Sequence, residues 1–159
     1  MIEINERNVF LNRIHLFNGL KDDQLTGISV KLEERIYPAD AIIFDFGEKP
    51  DGFYLIYKGK VKVVRPRERG EDFLAWLTAG DYFGEVALFE RRNRSATVIA
   101  VEETVFLFLS LEGFEDLLEK YEKLRPNFLV SIKSRKLARA TMFKWLGPNE
   151  VIFFIARRH

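Results

Sequence analysis

The chain has 159 residues, of which 47% are hydrophobic, enough for one well-buried core with a short accessory segment. It contains no cysteine, which excludes disulfides and thiolate metal sites and fits a reducing compartment. The two histidines, His15 and His159, stand at opposite ends of the chain without ligand-spaced carboxylates, so no metal site and no cofactor is predicted.

The net charge is only +1, but it is unevenly distributed. Residues 131–159 carry seven Lys and Arg against one acidic residue, Glu150. Such a basic tail fits nucleic acid, a membrane surface or simply a solvated helix face, and the solvated face is the default interpretation. The N-terminus is acidic where a signal peptide is basic, and no run reaches the roughly 20 apolar residues of a spanning helix. The sequence therefore predicts a cytoplasmic location.

Helical periodicity comes first along the chain. Phe10, Ile14 and Phe17 recur at helical spacing, and Asp22 and Asp23 mark a second helix start, so helices with one break are predicted over about residues 7–31. Short runs rich in β-branched and aromatic residues follow over about 32–109, separated by turn residues: RIYP, AIIFDF, FYLIY, KVKVV, FLAWL, ATVIAV and TVFLFL. Such spacing favours an antiparallel barrel or sandwich over βαβ units.

Two helices are predicted over about residues 110–146. Ser110 is the N-cap candidate of the first, Pro126 suits the first turn of the second, and Gly147-Pro148 ends it. The predicted domain thus covers residues 1–146. Residues 147–159 form a terminal segment with an apolar run at 151–156, which either packs on the domain or leads into a further region.

One segment interrupts the strands with charges. Gly84 gives the backbone freedom before a short helical run that begins at Glu85, and a helix N-terminus offers unpaired amides to an anion. Arg94 follows nine residues after Glu85, and its planar guanidinium matches phosphate oxygens. The carboxylate of Glu85 repels phosphate but accepts a hydrogen bond from a sugar hydroxyl. Together these groups suggest a nucleotide whose phosphate and ribose are held close.

The same segment resembles a known family. Phe83-Gly84-Glu85-Val86-Ala87-Leu88, a five-residue gap and then Arg94-Ser95-Ala96-Thr97 are similar to the phosphate-binding cassette of cyclic nucleotide-binding domains. That module occurs in the bacterial catabolite activator protein, in regulatory subunits of cyclic-AMP-dependent protein kinase and in cyclic-nucleotide-gated channels. The resemblance extends over roughly residues 9–140. It implies a mainly β fold with flanking helices: an antiparallel β-roll or jelly-roll barrel with N-terminal helices, a short cassette helix inside it and two C-terminal helices.

Residue by residue, the resemblance assigns the site. It implies that Glu85 binds the ribose 2′-hydroxyl, that Gly84 and Ala87 offer backbone amides, and that Arg94 neutralises the cyclic phosphate with help from Ser95. The remaining predicted ligand-binding residues of the cassette are Phe83, Val86, Leu88 and Ala96. The family associates threonine after the arginine with cyclic GMP and serine or alanine with cyclic AMP, so cyclic AMP is the expected ligand in preference to cyclic GMP. Candidates for capping the base are Phe128, Leu129 and Ile132 and, further along, Phe143 and Trp145.

Several alternatives bear on function. Glu85 and Arg94 are explained less well as a surface ion pair, because such pairs stabilise a protein by only about 0–1 kcal/mol. An enzyme is not predicted, because no nucleophile with a base partner or metal is visible. A ligand-free domain of the family that acts as a structural or protein-interaction scaffold is the alternative function. DNA is not an expected partner, since a helix-turn-helix with its supporting elements needs about 60 further residues.

The expected partners depend on the C-terminal part of the chain. A homodimer through the C-terminal helix is one expectation. If the sequence is a fragment, a second expectation is a downstream region that contacts a membrane or another protein. The domain is then expected to be the cytoplasmic part of a membrane-associated protein.

Overall fold

The protein was analysed as a computed structural model, which describes residues 1–134. The N-terminal helices are α1 (Ile4–Asn12), a 3-10 turn (His15–Phe17) and α2 (Asp22–Ser29). The strands are β1 (Glu33–Tyr37), β2 (Ile42–Phe44), β3 (Gly52–Lys58), β4 (Lys60–Pro66), β5 (Glu71–Thr78), β6 (Tyr82–Phe83), β7 (Thr97–Ala100) and β8 (Thr104–Ser110). Helix α3 (Glu85–Glu90) lies between β6 and β7, α4 (Leu111–Lys120) follows β8, and the described part of α5 covers residues 124–134.

The strands form two four-stranded sheets, in the orders β1-β8-β3-β6 and β2-β7-β4-β5. Every strand pairing is antiparallel, as the predicted fold requires. All seven predicted strand segments are present, and β6 adds a two-residue strand that pairs with β3. The predicted fold class, mainly β with flanking helices and a short helix between the strands, is therefore confirmed.

Aromatic side chains fill the space between the two sheets. Tyr54 on β3 stacks on Phe83 at 5.2 Å and contacts the rings of Phe44, Phe106 and Phe108. These rings are almost completely buried, and each contributes a large apolar area to the core. This cluster fixes the position of β6, and so of the segment that begins at Gly84.

A second core joins the sheets to the helices. Phe128 of α5 is fully buried and meets the rings of Phe17, Phe53, Phe89 and Phe114. Its contacts come from the 3-10 turn, from β3, from α3 and from α4. The start of α5 is therefore held by every helical part of the described chain except α1 and α2.

The helix ends agree with the sequence patterns in most places. Ser110 caps α4, its hydroxyl oxygen accepting a hydrogen bond from the Gly113 amide at 3.0 Å, and Pro126 lies in the first turn of α5. Helix α2 begins at Asp22, one of the two predicted start residues. The predicted stop at Gly147-Pro148, the boundary at residue 146 and the candidates Phe143 and Trp145 lie outside the described residues.

Candidate functional site

The cassette begins where β6 ends. Gly84 is the N-cap of α3 and has a φ of 97°, in the left-handed region that suits glycine. The amides of the first turn of α3, including that of Ala87, have no partner within the helix itself. Glu85 opens the helix with 0% of its surface exposed. The local geometry therefore buries the Glu85 carboxylate directly beside a left-handed turn.

Arg94 returns to this turn from the loop after α3. Its Nη1 donates to the carbonyl oxygen of Gly84 at 3.1 Å, and its Nη2 donates to the carbonyl oxygen of Gly52 at 2.7 Å. Nη2 also lies 3.1 Å from Oδ1 of Asp51, with which it forms an ion pair. The guanidinium thus ties the cassette to the start of β3.

The backbone of Arg94 is held as firmly as its side chain. Its amide donates to the carbonyl oxygen of Glu48 at 2.8 Å, and its own carbonyl oxygen accepts from the Gly47 amide at 2.9 Å. These two bonds attach Arg94 to the loop between β2 and β3. Both the backbone and the side chain of Arg94 are therefore fixed to a segment that lies more than forty residues earlier in the sequence.

The surroundings of the guanidinium are largely apolar. Arg94 is only 3% exposed, and its Cζ lies 3.9 Å from the centre of the Phe44 ring. Burial lowers the pKa of the Arg94 guanidinium, and the charge of Asp51 opposes that change. Its buried Nε has no hydrogen-bond partner among the residues that the structure describes. A buried cation with an unused donor is an arrangement that an anion would complete.

Asp51 and Phe44 were not among the predicted site residues. The Asp51 side chain is 59% exposed and also lies 3.8 Å from Nη1 of Arg35, whose Cζ lies 3.5 Å from the centre of the Phe108 ring. The only sequence signal for Asp51 is its place in a turn directly before Gly52, which carries no information about Arg94. Only the pairing of distant strands brings these groups together.

The other predicted cassette residues have mixed environments. Phe83, Ala87, Leu88 and Ala96 are buried, and Leu88 and Ala96 contribute to the hydrophobic core. Val86 and Ser95 are half-buried. The structure therefore brings Gly84, Glu85 and Arg94 to one place and puts most of the remaining predicted residues into the packing around it.

The charged residues between Glu85 and Arg94 behave differently from those two. The Arg91 side chain is 84% exposed and lies 3.7 Å from Glu115, and Arg92 pairs with Glu90 at 3.0 Å. These contacts are surface ion pairs, which stabilise a protein weakly. Arg91 and Arg92 thus belong to the outer face of the loop.

The three base-cap candidates that lie within residues 1–134 differ in exposure. Phe128 is fully buried in the second core, Ile132 is 5% exposed and Leu129 is 42% exposed. Phe89, in α3, packs edge-on against Phe114 at 5.6 Å, so its ring joins the core. A cap by Phe128 would require that ring to leave its present contacts, whereas Leu129 already faces outward.

A separate cavity of about 850 Å³ lies between α1 and the turn from β5 to β6. Phe10, Tyr57 and Tyr82 are among the residues lining it, whereas Glu85 and Arg94 are not. Over residues 1–134, no helix has the length and apolar character needed to cross a membrane, and no three His, Asp or Glu side chains cluster as metal ligands.

Comparison with known proteins identifies the family. The sequence profile described as "cyclic nucleotide-binding domain" matches residues 34–121, more than half of the chain. The chain is 32% identical to the cyclic AMP receptor protein of Thermus thermophilus over 128 residues, which cover 80% of this chain and 59% of that protein. It is 37% identical to human cGMP-dependent protein kinase 2 over 120 residues, which cover 73% of this chain and 16% of the kinase.

A solved structure agrees with this result. The catabolite activator protein of Thermus thermophilus superposes with a TM-score of 0.72 and 33% identity, over 80% of this chain and 60% of that one. The chain thus spans less than two thirds of the length of these relatives. The cassette geometry, the family profile and the relatives agree, and the chain belongs to the cyclic nucleotide-binding domain family, a family of regulatory binding modules.

Proposed function

We propose that this domain binds a cyclic nucleotide at the cassette, with cyclic AMP preferred over cyclic GMP, and that binding changes the contacts of its C-terminal helices. The observation that carries the proposal is the buried Arg94 guanidinium, which lies over Phe44 with its Nε lacking a partner among the described residues. A cyclic phosphate would supply the missing acceptor and a full countercharge in a place from which water is excluded.

Each neighbouring group has a role in this proposal. Arg94 binds the phosphate, and the buried Glu85 carboxylate accepts a hydrogen bond from the ribose 2′-hydroxyl. The amides of Gly84 and Ala87 and the Ser95 hydroxyl complete the phosphate contacts. Because Nη1 of Arg94 now donates to the Gly84 carbonyl oxygen, phosphate binding would exchange that bond and so move the turn before α3.

The route from this turn to the C-terminal helices is short. Tyr82, two residues before Gly84, shares a 2.7 Å hydrogen bond between its Oη and Oγ of Ser131 in α5. Phe89 of α3 also contacts Phe128 of α5. A shift of the cassette would therefore act directly on α5. By linkage, any output that favours the shifted helix would tighten nucleotide binding by the same factor.

The test is a calorimetric titration of the chain with cyclic AMP and cyclic GMP, repeated on Arg94→Leu. Loss of the charged contact should weaken binding by at least about 30-fold, since truncating one partner of a buried charge pair costs about 2–5 kcal/mol. Arg92→Leu is the matched control, because Arg92 lies on the outer face of the loop and should leave the affinity unchanged.

Folding must be checked in the same experiment. Arg94→Leu leaves the Gly52 and Gly84 carbonyl oxygens without their present partner, so its thermal unfolding is measured alongside. Glu85→Gln, a nearly isosteric change, provides a second variant that should weaken binding of both nucleotides. A folded wild-type chain that gives neither heat nor a thermal shift with either nucleotide would contradict the proposal and favour the ligand-free scaffold.

Partners and location form the rest of the proposal. We expect a homodimer through the C-terminal helix, no contact of this domain with DNA and a cytoplasmic location. Sedimentation of the chain reports the dimer. Anisotropy of a labelled random duplex reports DNA binding, and a complex that weakens steeply with salt would contradict the expectation.

A further inference from the structure

The outer face of the sheet β2-β7-β4-β5 carries a row of exposed and half-buried side chains, the outer row. Strand register pairs Ile42 with Ile99, Ile99 with Lys62, and Lys62 with Trp76, so the row crosses all four strands. Ile42 is 53% exposed and Trp76 is 40% exposed. Directly paired residues of antiparallel strands project from the same side of a sheet, which makes the row one continuous surface.

A β-bulge adds a second aromatic ring to this surface. Val63 pairs with Ala75 but Val64 pairs with Phe73, so Leu74 has no partner on β4. Leu74 and Ala75 are both buried, while Phe73 and Trp76 are both exposed. In a regular strand, residues three apart face opposite sides, so the bulge alone aims both rings at solvent.

The two rings form a compact exposed pair. Their centroids are 4.9 Å apart, and Phe73 is 49% exposed. Within residues 1–134, this is the one ring contact in which both residues are exposed. Neither ring belongs to the hydrophobic core between the two sheets.

Basic side chains accompany the rings. Nζ of Lys60 lies 4.5 Å from the centre of the Trp76 ring, and Lys62 stands within the outer row between Ile99 and Trp76. The outer row with Phe73 and Lys60 contains no carboxylate. These residues thus combine aromatic, aliphatic and positively charged side chains, and one carboxylate that hydrogen-bonds on this face is that of Asp45, which accepts from Thr97 Oγ1 at 2.6 Å.

From this combination we propose that the outer row, with Phe73 and Lys60, adsorbs to a membrane surface that contains anionic phospholipid. Trp and Phe rings favour the boundary between headgroups and acyl chains, and lysine side chains favour the negative potential of anionic lipid. A sheet face can lie against a bilayer along its whole row, with the lysine ammonium groups at headgroup level and the rings deeper.

Composition elsewhere in the chain agrees with this partner. The basic excess over residues 131–159 and the apolar run at 151–156 combine the same two properties in the sequence. The outer row shares no residue with the cassette, and its end residues Ile42 and Trp76 are exposed whereas Arg94 is buried. Lipid binding through the row therefore goes beyond nucleotide binding and is tested without nucleotide.

The experiment is co-sedimentation of the full 159-residue chain with vesicles of phosphatidylcholine alone or with 30 mol% phosphatidylserine. We expect binding to the anionic vesicles that weakens with added salt. Phe73→Ser/Trp76→Ser should lower the partition coefficient at least about tenfold, and so should Lys60→Glu/Lys62→Glu. Ile36→Ser is the matched control, because Ile36 is 58% exposed on β1 of the other sheet and should leave binding unchanged.

A fluorescence measurement separates the outer row from the basic tail. The chain has two tryptophans, so Trp145→Phe leaves Trp76 as the sole reporter. Its emission should shift to shorter wavelength when anionic vesicles are added. Binding without that shift, or equal binding by Phe73→Ser/Trp76→Ser, would overturn the proposal in favour of the tail.

Self-association of the chain through the outer row is the alternative that the experiment must distinguish from lipid binding. Sedimentation velocity is measured without lipid on the wild type and on Phe73→Ser/Trp76→Ser. A dimer that the double substitution dissociates, together with no vesicle binding by the wild type, would overturn the lipid proposal and assign the face to self-association. Thermal unfolding of each variant is measured alongside, so that a loss of vesicle binding is attributed to the outer row only in a variant that is folded at the assay temperature.

Discussion

Nη1 of Arg94 donates a hydrogen bond to the carbonyl oxygen of Gly84 at 3.1 Å, and a Cβ atom at residue 84 would lie only 2.8 Å from the same nitrogen. Gly84 is therefore constrained twice, by its φ of 97° and by the arginine packed against it. Since the guanidinium is also bound to Gly52 and Asp51, it cannot move aside without losing those contacts.

Gly84→Ala should lower the free energy of unfolding by about 2 kcal/mol, combining left-handed backbone strain with the displaced Arg94 bond. Gly70→Ala is the matched control, because Gly70 has a φ of 79° and nothing within 4 Å of an added Cβ. Backbone strain alone should cost the control about 1 kcal/mol. Urea unfolding measures the free energy of unfolding of both variants. Equal losses would show that the contact between residue 84 and Arg94 does not affect stability.

The hydrogen bond between Tyr82 and Ser131 should couple the strand before the cassette to α5. Both residues are buried, and the bond is 2.7 Å long. In a double-mutant cycle with Tyr82→Phe and Ser131→Ala, we expect a coupling of about 1 kcal/mol in the free energy of unfolding. If the losses of the two single variants add up to the loss of the double variant within about 0.3 kcal/mol, the two groups act independently.

Arg7 should be more important for stability than its place on an N-terminal helix indicates. Its Nη1 donates to the carbonyl oxygens of Ser29 and Leu32 at 2.8 and 2.7 Å, and its Nε donates to the Ile2 carbonyl oxygen at 3.0 Å. Arg7→Met keeps the length of the side chain but leaves these acceptors unpaired, at a cost of about 2–4 kcal/mol.

The control for Arg7 is Arg13→Met. Arg13 is an exposed arginine just after α1, so its loss should change the free energy of unfolding by less than about 0.5 kcal/mol. Similar losses for the two variants in urea unfolding would show that water replaces Arg7 at the carbonyl oxygens.

Ser95 should set the preference between the two nucleotides. The family associates threonine at this position with cyclic GMP, and the β-branch of threonine restricts the hydroxyl to fewer rotamers. Ser95→Thr should therefore shift the ratio of dissociation constants towards cyclic GMP by about tenfold, the effect of one hydrogen bond. Ser95→Ala is the control: loss of the hydroxyl contact with the phosphate should weaken both nucleotides to a similar extent and leave their ratio unchanged. A competition titration in which Ser95→Thr also leaves the ratio unchanged would contradict the prediction.

Much of the fold was predictable because its signals are local. Alternating and aromatic-rich runs identified the strand segments, Ser110 identified the start of α4, and the spacing from Gly84 to Arg94 identified the cassette and the family. Residue β-propensity, helix capping and motif spacing all act over a few residues, so they can be read along the chain. The short β6 was the exception, since two residues carry too little pattern to define a strand.

The sequence by itself thus determined the fold class and the family, and it predicted Glu85 and Arg94 as the charged residues of the candidate site. Only the tertiary structure decided that Arg94 contacts Asp51 and Phe44. It likewise decided that Phe73 contacts Trp76 on the outer face of the sheet. The physical reason is that these contacts depend on the register between distant strands and on one bulge in that register. A shift of a single residue reverses which side chains face the core, and local propensity does not encode that choice.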